Sequence, residues 1–184
     1  SSAGDDNIAG TGIYLEGSQG TWISRNEVTQ ADNHGIHIKN SDGTNYLDDT
    51  DVWNNRITDV GGLGILAENS DYLTIGAHGI HGGSSDDLDH GNVIHGAGED
   101  GIRVEGGTEK AMVRFNTIER PEEDSGTSTG YAGISLQGSS NASVLDNAIS
   151  GTGGSGVWAN AAQGAEVKNN TIYDVGNDSG RPTN

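Results

Sequence analysis

The sequence predicts an all-β solenoid, because one short pattern of residues recurs along almost its whole length. The clearest repeats, Gly133–Ser155 and Gly156–Asp178, align residue for residue with a period of 23. Self-similarity at a period in this range is typical of solenoids, in which each repeat forms one coil. With 31% hydrophobic residues and a net charge of −18, composition alone would indicate disorder. The repeat overrides it, because each coil buries only a thin aliphatic stack against its neighbours.

Each predicted coil opens with a glycine and alternating aliphatic residues, and continues to an Asn-x-aliphatic triplet. The opening glycines are Gly12, Gly35, Gly64, Gly101, Gly133 and Gly156. The triplet asparagines are Asn26, Asn55, Asn92, Asn116, Asn147 and Asn170. Nine residues lead from that asparagine to the next opening glycine in four coils, and eight more follow Asn116. Short alternating runs bounded by Gly, Asn, Ser and Asp predict three short strands per coil.

The predicted coils differ in their loops. Coil one, 12–34, is regular and coils five and six are plain, whereas coil two has about six extra residues in the polar run 40–50. Coil three carries a 14-residue insertion that reaches His90, and coil four has an excursion at 121–129. We expect one domain over 1–184, either a slice of a longer solenoid or a protomer that associates end to end, because uncapped coils expose strand edges.

The asparagine of each triplet is predicted to lie at a sharp corner between two strands. One residue at such a corner adopts a left-handed backbone, which Asn tolerates. Stacked in consecutive coils, the six side chains would form an internal amide ladder. Each amide both donates and accepts hydrogen bonds, so the ladder satisfies itself where water is excluded.

The pattern G-[IV]-x-[LIVA] followed by [VI]-x-x-N-x-[IV], which runs from Gly12 to about Val175, resembles the right-handed parallel β-helix repeat superfamily, the pectate-lyase-like group. The resemblance implies a single-stranded, right-handed parallel β-helix of about six coils. Its members include polysaccharide lyases, uronate epimerases, glycoside hydrolases, phage tail-spike parts and periplasmic sugar-binding-like proteins. The shape alone establishes none of these activities. The epimerases' Asp-Pro-His motif is missing, and no pectate-lyase-type motif occurs.

The excess of acidic over basic residues limits the classes of partner that the chain is expected to bind. The chain has 27 acidic and 9 basic residues, which disfavours nucleic-acid phosphate and is compatible with divalent cations or basic ligands. No apolar run approaches membrane-spanning length. We therefore expect neither a nucleic acid nor a membrane as partner.

The strand that opens each coil presents alternate side chains away from the core, in two columns on one exposed face. The first column is Tyr14, His37, Leu66, Arg103, Ser135 and Trp158. The second column is Glu16, Lys39, Glu68, Glu105, Gln137 and Asn160. Aromatic faces pack on pyranose rings, and charged or amide groups hydrogen-bond hydroxyls and carboxylates, so the columns predict a sugar-binding groove. The alternative is a solvated face whose charges alternate to avoid like-charge stacking.

The predicted catalytic residues are His37, Lys39 and Arg103, by the uronate chemistry that the resemblance implies. A histidine can act as base at neutral pH, and an arginine can pair with a carboxylate bidentately. The predicted substrate-binding residues are Tyr14, Glu68, Glu105, Gln137, Trp158 and Asn160. A hydrolase alternative uses Glu68 and Glu105, which adjacent coils would hold about 5 Å apart, as a retaining carboxylate pair.

Two acidic loops are candidate metal sites. The first loop combines imidazoles, which suit a transition metal, with carboxylates, which suit Ca²⁺. The alternative interpretation of this loop is a flexible Gly-rich turn. The candidate ligands are His78, His81, Asp86, Asp87, Asp89 and His90. The second is Asp48, Asp49 and Asp51, which is either a Ca²⁺ site or a solvated surface. Ca²⁺ is therefore the cofactor that the sequence suggests, if there is one.

We therefore expect an extracellular or cell-surface module that binds or processes an acidic polysaccharide along this face, in the manner of a lyase or an epimerase. The competing interpretation is a non-catalytic structural solenoid, such as an adhesin stalk, a spike segment or a filament unit. The first column favours the binder, because a structural rod has no reason to collect Tyr, His, Arg and Trp on one face.

Overall fold

The computed structural model describes residues 10–43, 49–77, 90–119 and 131–176. These residues form three six-stranded sheets in which every pairing is parallel. Sheet A contains β1 (Ile13–Glu16), β4 (Ile36–Lys39), β7 (Ile65–Glu68), β10 (Ile102–Glu105), β13 (Ile134–Gln137) and β16 (Val157–Asn160). Sheet B contains β2 (Trp22–Ser24), β5 (Thr50–Trp53), β8 (Leu73–Gly76), β11 (Met112–Arg114), β14 (Ser143–Leu145) and β17 (Glu166–Lys168). Sheet C contains β3 (Glu27–Thr29), β6 (Arg56–Val60), β9 (Val93–Ala97), β12 (Thr117–Glu119), β15 (Ala148–Ser150) and β18 (Thr171–Tyr173).

Each of the six coils contributes one strand to each sheet, so the predicted parallel β-helix is confirmed. The repeat alignment also predicts the register, since Ile134 lies opposite Val157 and Val144 opposite Val167. Among the described residues no helix has the length and apolar character needed to cross a membrane. The predicted excursion at 121–129 lies outside the described residues.

The core is a set of aliphatic stacks that run the length of the rod. Inward-facing residues of the middle coils, such as Ile38, Ile57 and Ile102, are fully buried. The opening glycines follow from this close packing. A Cβ placed on Gly35 would lie 2.5 Å from Cγ2 of Ile57 and 2.6 Å from the backbone oxygen of Gly64, so any larger residue there would force the coils apart.

The predicted asparagine ladder is present from Asn26 to Asn170. At its centre the Nδ2 of Asn55 donates to Oδ1 of Asn92 at 2.9 Å, and the backbone N–H of Asn55 donates to the same oxygen at 3.1 Å. The same Nδ2 also donates to the backbone oxygen of Ile23, at 2.8 Å. Asn92, Asn116 and Asn147 repeat this pattern, so the corner satisfies its own polar groups in the absence of water.

The backbone conformation at this corner was predicted wrongly by one residue. The left-handed residue is the one before the ladder asparagine, as at Asn54, Phe115 and Asp146, whose φ angles are 52°, 56° and 55°. The preceding residue takes the turn because the asparagine itself must aim both its N–H and its amide along the rod at the next rung.

A second ladder, made of hydroxyl groups, was not predicted. It lies at the corner after sheet A, where the backbone N–H of Ser41 donates to Oγ of Ser70 at 3.1 Å, and that of Ser70 to Oγ1 of Thr108 at 3.1 Å. All three residues are fully buried. The signal in the sequence is a Ser or Thr that follows a Gly or Asn a few residues after the opening strand.

The last coil differs from those before it. Val167 and Ile172 are 47% and 41% exposed, whereas their counterparts one coil earlier, Val144 and Ile149, are fully buried. The single-domain organisation and the end-to-end association stay predictions.

Candidate functional site

The outer face of sheet A carries the two predicted columns in the predicted order. In the first column Tyr14 pairs with His37, and Arg103 with Ser135. In the second, Glu68 pairs with Glu105. Adjacent members are therefore one strand spacing apart, about 4.8 Å.

The expectation that this whole face is exposed was wrong for three members of the first column. His37 and Leu66 are only 1% and 4% exposed, and Ser135 is fully buried. The residue before each opening glycine, which lies at the corner between sheets C and A, accounts for this cover. Before the opening glycines of coils two and three that residue is His34 or Leu63, and both are themselves buried.

Three aromatic rings close the beginning of the groove. The ring of His37 makes edge-to-face contacts with Tyr14, at a centroid distance of 5.1 Å, and with His34, at 5.5 Å. The backbone N–H of Leu63 donates to Nδ1 of His34 at 3.1 Å, which places the proton of the neutral ring on Nε2. Burial, and then the charges of His37 and Arg103, lower the pKa of His34 to about 4.

His37, Lys39 and Glu68 form one polar cluster. Nε2 of His37 lies 3.3 Å from Oε2 of Glu68, and Nζ of Lys39 lies 3.4 Å from Oε1. Burial lowers the pKa of His37, although Glu68 opposes this effect. The catalytic role of His37 stays a prediction; its ring is closed to solvent in this arrangement.

Glu105 has a different environment from Glu68. Burial raises the pKa of its carboxyl; Arg103 opposes the rise, while Glu68, Asp100 and Glu99 add to it. The register therefore holds two carboxyl groups side by side, one paired with a lysine and a histidine, the other half-buried among further carboxylates.

Arg103 is held in place by carboxylates that the sequence analysis missed. Its Nε donates to Oδ2 of Asp100 at 2.8 Å, and its Nη2 lies 3.2 Å from Oε2 of Glu99. Burial acts to lower the pKa of Arg103, but Asp100 and the other nearby carboxylates outweigh it and raise the pKa. Asp100 also accepts from the backbone N–H of Ala132 at 2.7 Å and the hydroxyl of Ser135 at 2.6 Å. Asp100 therefore serves as an anchor for the guanidinium group.

The far end of the groove opens into a pocket of about 420 Å³. Three predicted site residues line it: Arg103, Gln137 and Trp158. The others were missed because they lie in the corners before the strands: Asp100, Tyr131, Ala132 and 153–155. Trp158 is 42% exposed, so its indole is available to a ligand.

The two outermost predicted binding residues stand apart from this pocket. Tyr14, at the beginning of the groove, donates its hydroxyl proton to Oε2 of Glu16 at 3.0 Å. Asn160 is exposed at the end of the last strand of sheet A. Neither contacts the pocket as one of its lining residues.

The predicted metal sites find no support in the described part of the chain, where no group of three or more His, Asp or Glu side chains is placed to hold an ion. Five of the first loop's residues lie outside the described residues: His78, His81, Asp86, Asp87 and Asp89. His90 is half-buried. The expected Ca²⁺ site therefore finds no such group among residues 10–43, 49–77, 90–119 and 131–176.

The second acidic loop was partly misjudged. Asp48 lies outside the described residues, but Asp49 and Asp51 are 3% and 1% exposed, so they are not a solvated surface. Oγ1 of Thr74 donates to Oδ2 of Asp49 at 3.1 Å. Burial lowers the pKa of Arg114, and both carboxylates oppose that effect, which places a positive charge near them.

Comparison with known proteins agrees with this architecture. Residues 3–76 match a family described as periplasmic copper-binding protein (NosD), although the described residues do not supply a copper site. No curated protein and no solved structure matches the chain. Residues 44–180 match the family described as right handed beta helix region. Because that match spans most of the sequence and the strands stack as three parallel sheets, the chain belongs to the right-handed β-helix family.

Proposed function

We propose that this protein binds carbohydrate outside the cytoplasm, with its ligand lying along the outer face of sheet A. The similarity of residues 3–76 to a periplasmic family supports the location. The pocket around Trp158 supports the ligand, and it is the observation that carries the proposal.

The pocket combines the features that a sugar ring requires. Its volume of about 420 Å³ is within the usual range for small-molecule sites. The exposed indole of Trp158 offers an apolar face for the C–H groups of a pyranose. Gln137 and Arg103 offer hydrogen bonds to its hydroxyls, and the pairing of Arg103 with Asp100 fixes one of them in advance, which lowers the entropy lost on binding.

The columns extend the site beyond the pocket. Glu105, Glu68 and Lys39 follow Gln137 on successive coils of the second column, and all four are partly exposed. A chain of sugars lying parallel to the rod would meet a new pair of polar side chains about every 4.8 Å. The site is therefore suited to an oligosaccharide more than to a single sugar.

The charges favour a neutral chain over an acidic one. Two cations, Lys39 and Arg103, stand among the groove carboxylates Glu68, Glu99, Asp100 and Glu105. The chain as a whole carries a net charge of −18, which repels a polyanion at long range. The acidic polysaccharide expected from the sequence stays a prediction, and a neutral glycan is the better candidate.

The test is a binding panel of neutral polysaccharides, such as xylan, mannan and β-glucan, beside alginate and polygalacturonate. We expect retention in affinity electrophoresis on at least one neutral chain. Trp158→Ala should weaken glycan binding about tenfold or more, because the contact between an aromatic face and a sugar ring is worth about 1 kcal/mol and the apolar area that the indole buries adds to this.

The matched control is Trp22→Ala, because Trp22 is 67% exposed but lies on sheet B, away from the pocket. It should bind as the unaltered protein does. Equal retention of both variants, or no retention on any glycan, would remove the proposal and leave the non-catalytic structural solenoid as the better interpretation.

A further inference from the structure

We propose that the groove also cleaves its ligand, with Glu68 as nucleophile and Glu105 as acid and base of a glycoside hydrolase that retains anomeric configuration. This inference rests on the proposed carbohydrate groove and adds a reaction to it. It concerns two carboxyl groups on the same face as the pocket: Glu105 is paired with the pocket residue Gln137, and Glu68 is one strand further along.

The first argument is the spacing of the two residues. Glu68 and Glu105 are directly paired on adjacent strands and point to the same face. Directly paired side chains of a sheet lie about 5 Å apart. Retaining glycosidases hold their two carboxyl groups about 5–5.5 Å apart, whereas inverting enzymes need about 6.5–9.5 Å to admit a water molecule. Because the Cβ atoms of directly paired residues are about 5 Å apart, the two carboxyl groups can take up the separation that retaining chemistry needs.

The second argument is that the two carboxyl groups have different surroundings. Oε1 of Glu68 lies 3.4 Å from Nζ of Lys39 and Oε2 lies 3.3 Å from Nε2 of His37, so these two side chains hold its carboxyl group in place. Glu105 is half-buried, and burial together with nearby carboxylates raises its pKa. Two carboxyls in contrasting environments are how glycosidases separate the acid from the nucleophile.

The third argument is the position of the pocket. Gln137 is the next member of the same column after Glu105, and it lines the pocket together with Trp158. A sugar chain that is seated on the indole and runs along the rod would therefore reach Glu105 two strand spacings, or about 9.6 Å, further on. Binding and bond cleavage are thus on consecutive coils of one face.

The reaction balances with water as the only co-substrate. A carboxylate oxygen of Glu68 forms a bond to the anomeric carbon while the bond from that carbon to the leaving oxygen breaks, and the proton of Glu105 passes to that oxygen. In the second step water gives a proton to the Glu105 carboxylate and bonds to the anomeric carbon, and the ester to Glu68 breaks. Both side chains return to their starting forms.

The experiment measures release of reducing ends from every glycan that the protein binds, and hydrolysis of a set of 4-nitrophenyl glycosides. We expect Glu68→Gln and Glu105→Gln to lose about a thousandfold or more on the polysaccharide, while each still binds it. Sodium azide should partly restore Glu105→Gln on the nitrophenyl glycoside, because a good leaving group needs no acid. Glu27→Gln, an exposed carboxylate change on sheet C, should leave hydrolysis unchanged.

A second measurement identifies the nucleophile directly. A 2-deoxy-2-fluoro glycoside with an activated leaving group should label one peptide, the one containing Glu68, as seen by mass spectrometry. Label on another residue, or an inverted anomer in the product, would overturn the assignment. A protein that binds glycan but releases no reducing ends and takes no label would overturn the hydrolase and leave the proposed binding function standing, whereas failure to bind any glycan would overturn both.

Discussion

The two halves of the groove share one backbone, yet one half is closed and the other is open. In the closed half, coils one to three, His37 and Leu66 are almost fully buried. In the open half, coils four to six, Arg103, Gln137 and Trp158 line a pocket. Strand spacing and register are the same in both. The sheet therefore places the columns but does not decide which of their members a ligand can reach.

The residue before each opening glycine accounts for the difference. Along the rod this position holds Thr11, His34, Leu63, Asp100, Ala132 and Ser155. The large side chains of His34 and Leu63 are buried, and the ring of His34 packs against His37 of the first column, whereas the smaller Ala132 and Ser155 line the pocket. The size of this corner residue is thus one factor that controls access to the face.

The largest effect should come from opening the closed half. Leu63 is 1% exposed, and replacing a buried leucine with alanine costs about 2–5 kcal/mol. Leu63→Ala should therefore lower the free energy of unfolding by about 3 kcal/mol in urea titration and make His37 reactive toward diethylpyrocarbonate. Val175→Ala, at an exposed residue, should change neither; an unreactive His37 in Leu63→Ala would contradict the covering role of that side chain.

The closed half should also make the protein sensitive to acid. The unfolded chain binds a proton at His34 near the ordinary pKa of 6.5, but the folded chain binds it only near 4. Stability should therefore fall as the pH drops from about 6.5 to about 4, by roughly 3 kcal/mol at most, and change little from this residue below that. Thermal unfolding across this range measures the effect.

The matched variants for this experiment differ in burial. His34→Gln keeps an acceptor for the N–H of Leu63 but does not titrate, so it should make the loss of stability in acid smaller and leave the part that comes from His37, whose pKa burial also lowers. His95→Gln removes a partly exposed histidine that lies 3.6 Å from Glu119 and should leave the limb in place. The same slope in both variants would mean that His34 is not its source.

The smallest effect should come from closing the open half. Ser155 is exposed at the pocket edge, so Ser155→Leu would place there the side chain that covers coil three. Glycan binding should weaken about tenfold, which corresponds to about 1.4 kcal/mol, with an unchanged melting temperature. Ser155→Ala should bind normally, and undiminished binding by Ser155→Leu would show that this corner does not control access.

The fold could be predicted from the sequence because a solenoid repeats its geometry wherever it repeats its residues. The alignment of Gly133 with Gly156 predicts the register between β13 and β16 in sheet A, and the spacing of the asparagines predicts the amide ladder. The pairing of Glu68 with Glu105 followed from the same frame.

The site could be predicted only in part, because the cover over it is not part of the repeat. The residue types at the pocket's corners differ from coil to coil, so the repeat pattern does not identify them; they are Asp100, Tyr131 and the short segment 153–155. The burial of His37 depends on its neighbours Tyr14 and His34, which lie at opposite ends of coil one. The residue types in each column could be predicted from the sequence. Whether a ligand can reach those side chains depends on corner residues that lie outside the columns.

The register of the strands also bears on how such a protein changes over evolution. Residues 44–48, 78–89 and 120–130 each separate strands that keep their pairing, as Asp51 does with Trp22, Val93 with Arg56, and Ile134 with Ile102. The strands on either side of these segments keep their pairing with the neighbouring coils, so the length of chain at each of the three corners can differ without disturbing the sheets. New surfaces can therefore be added to this rod one corner at a time, while the ladders inside it stay the same.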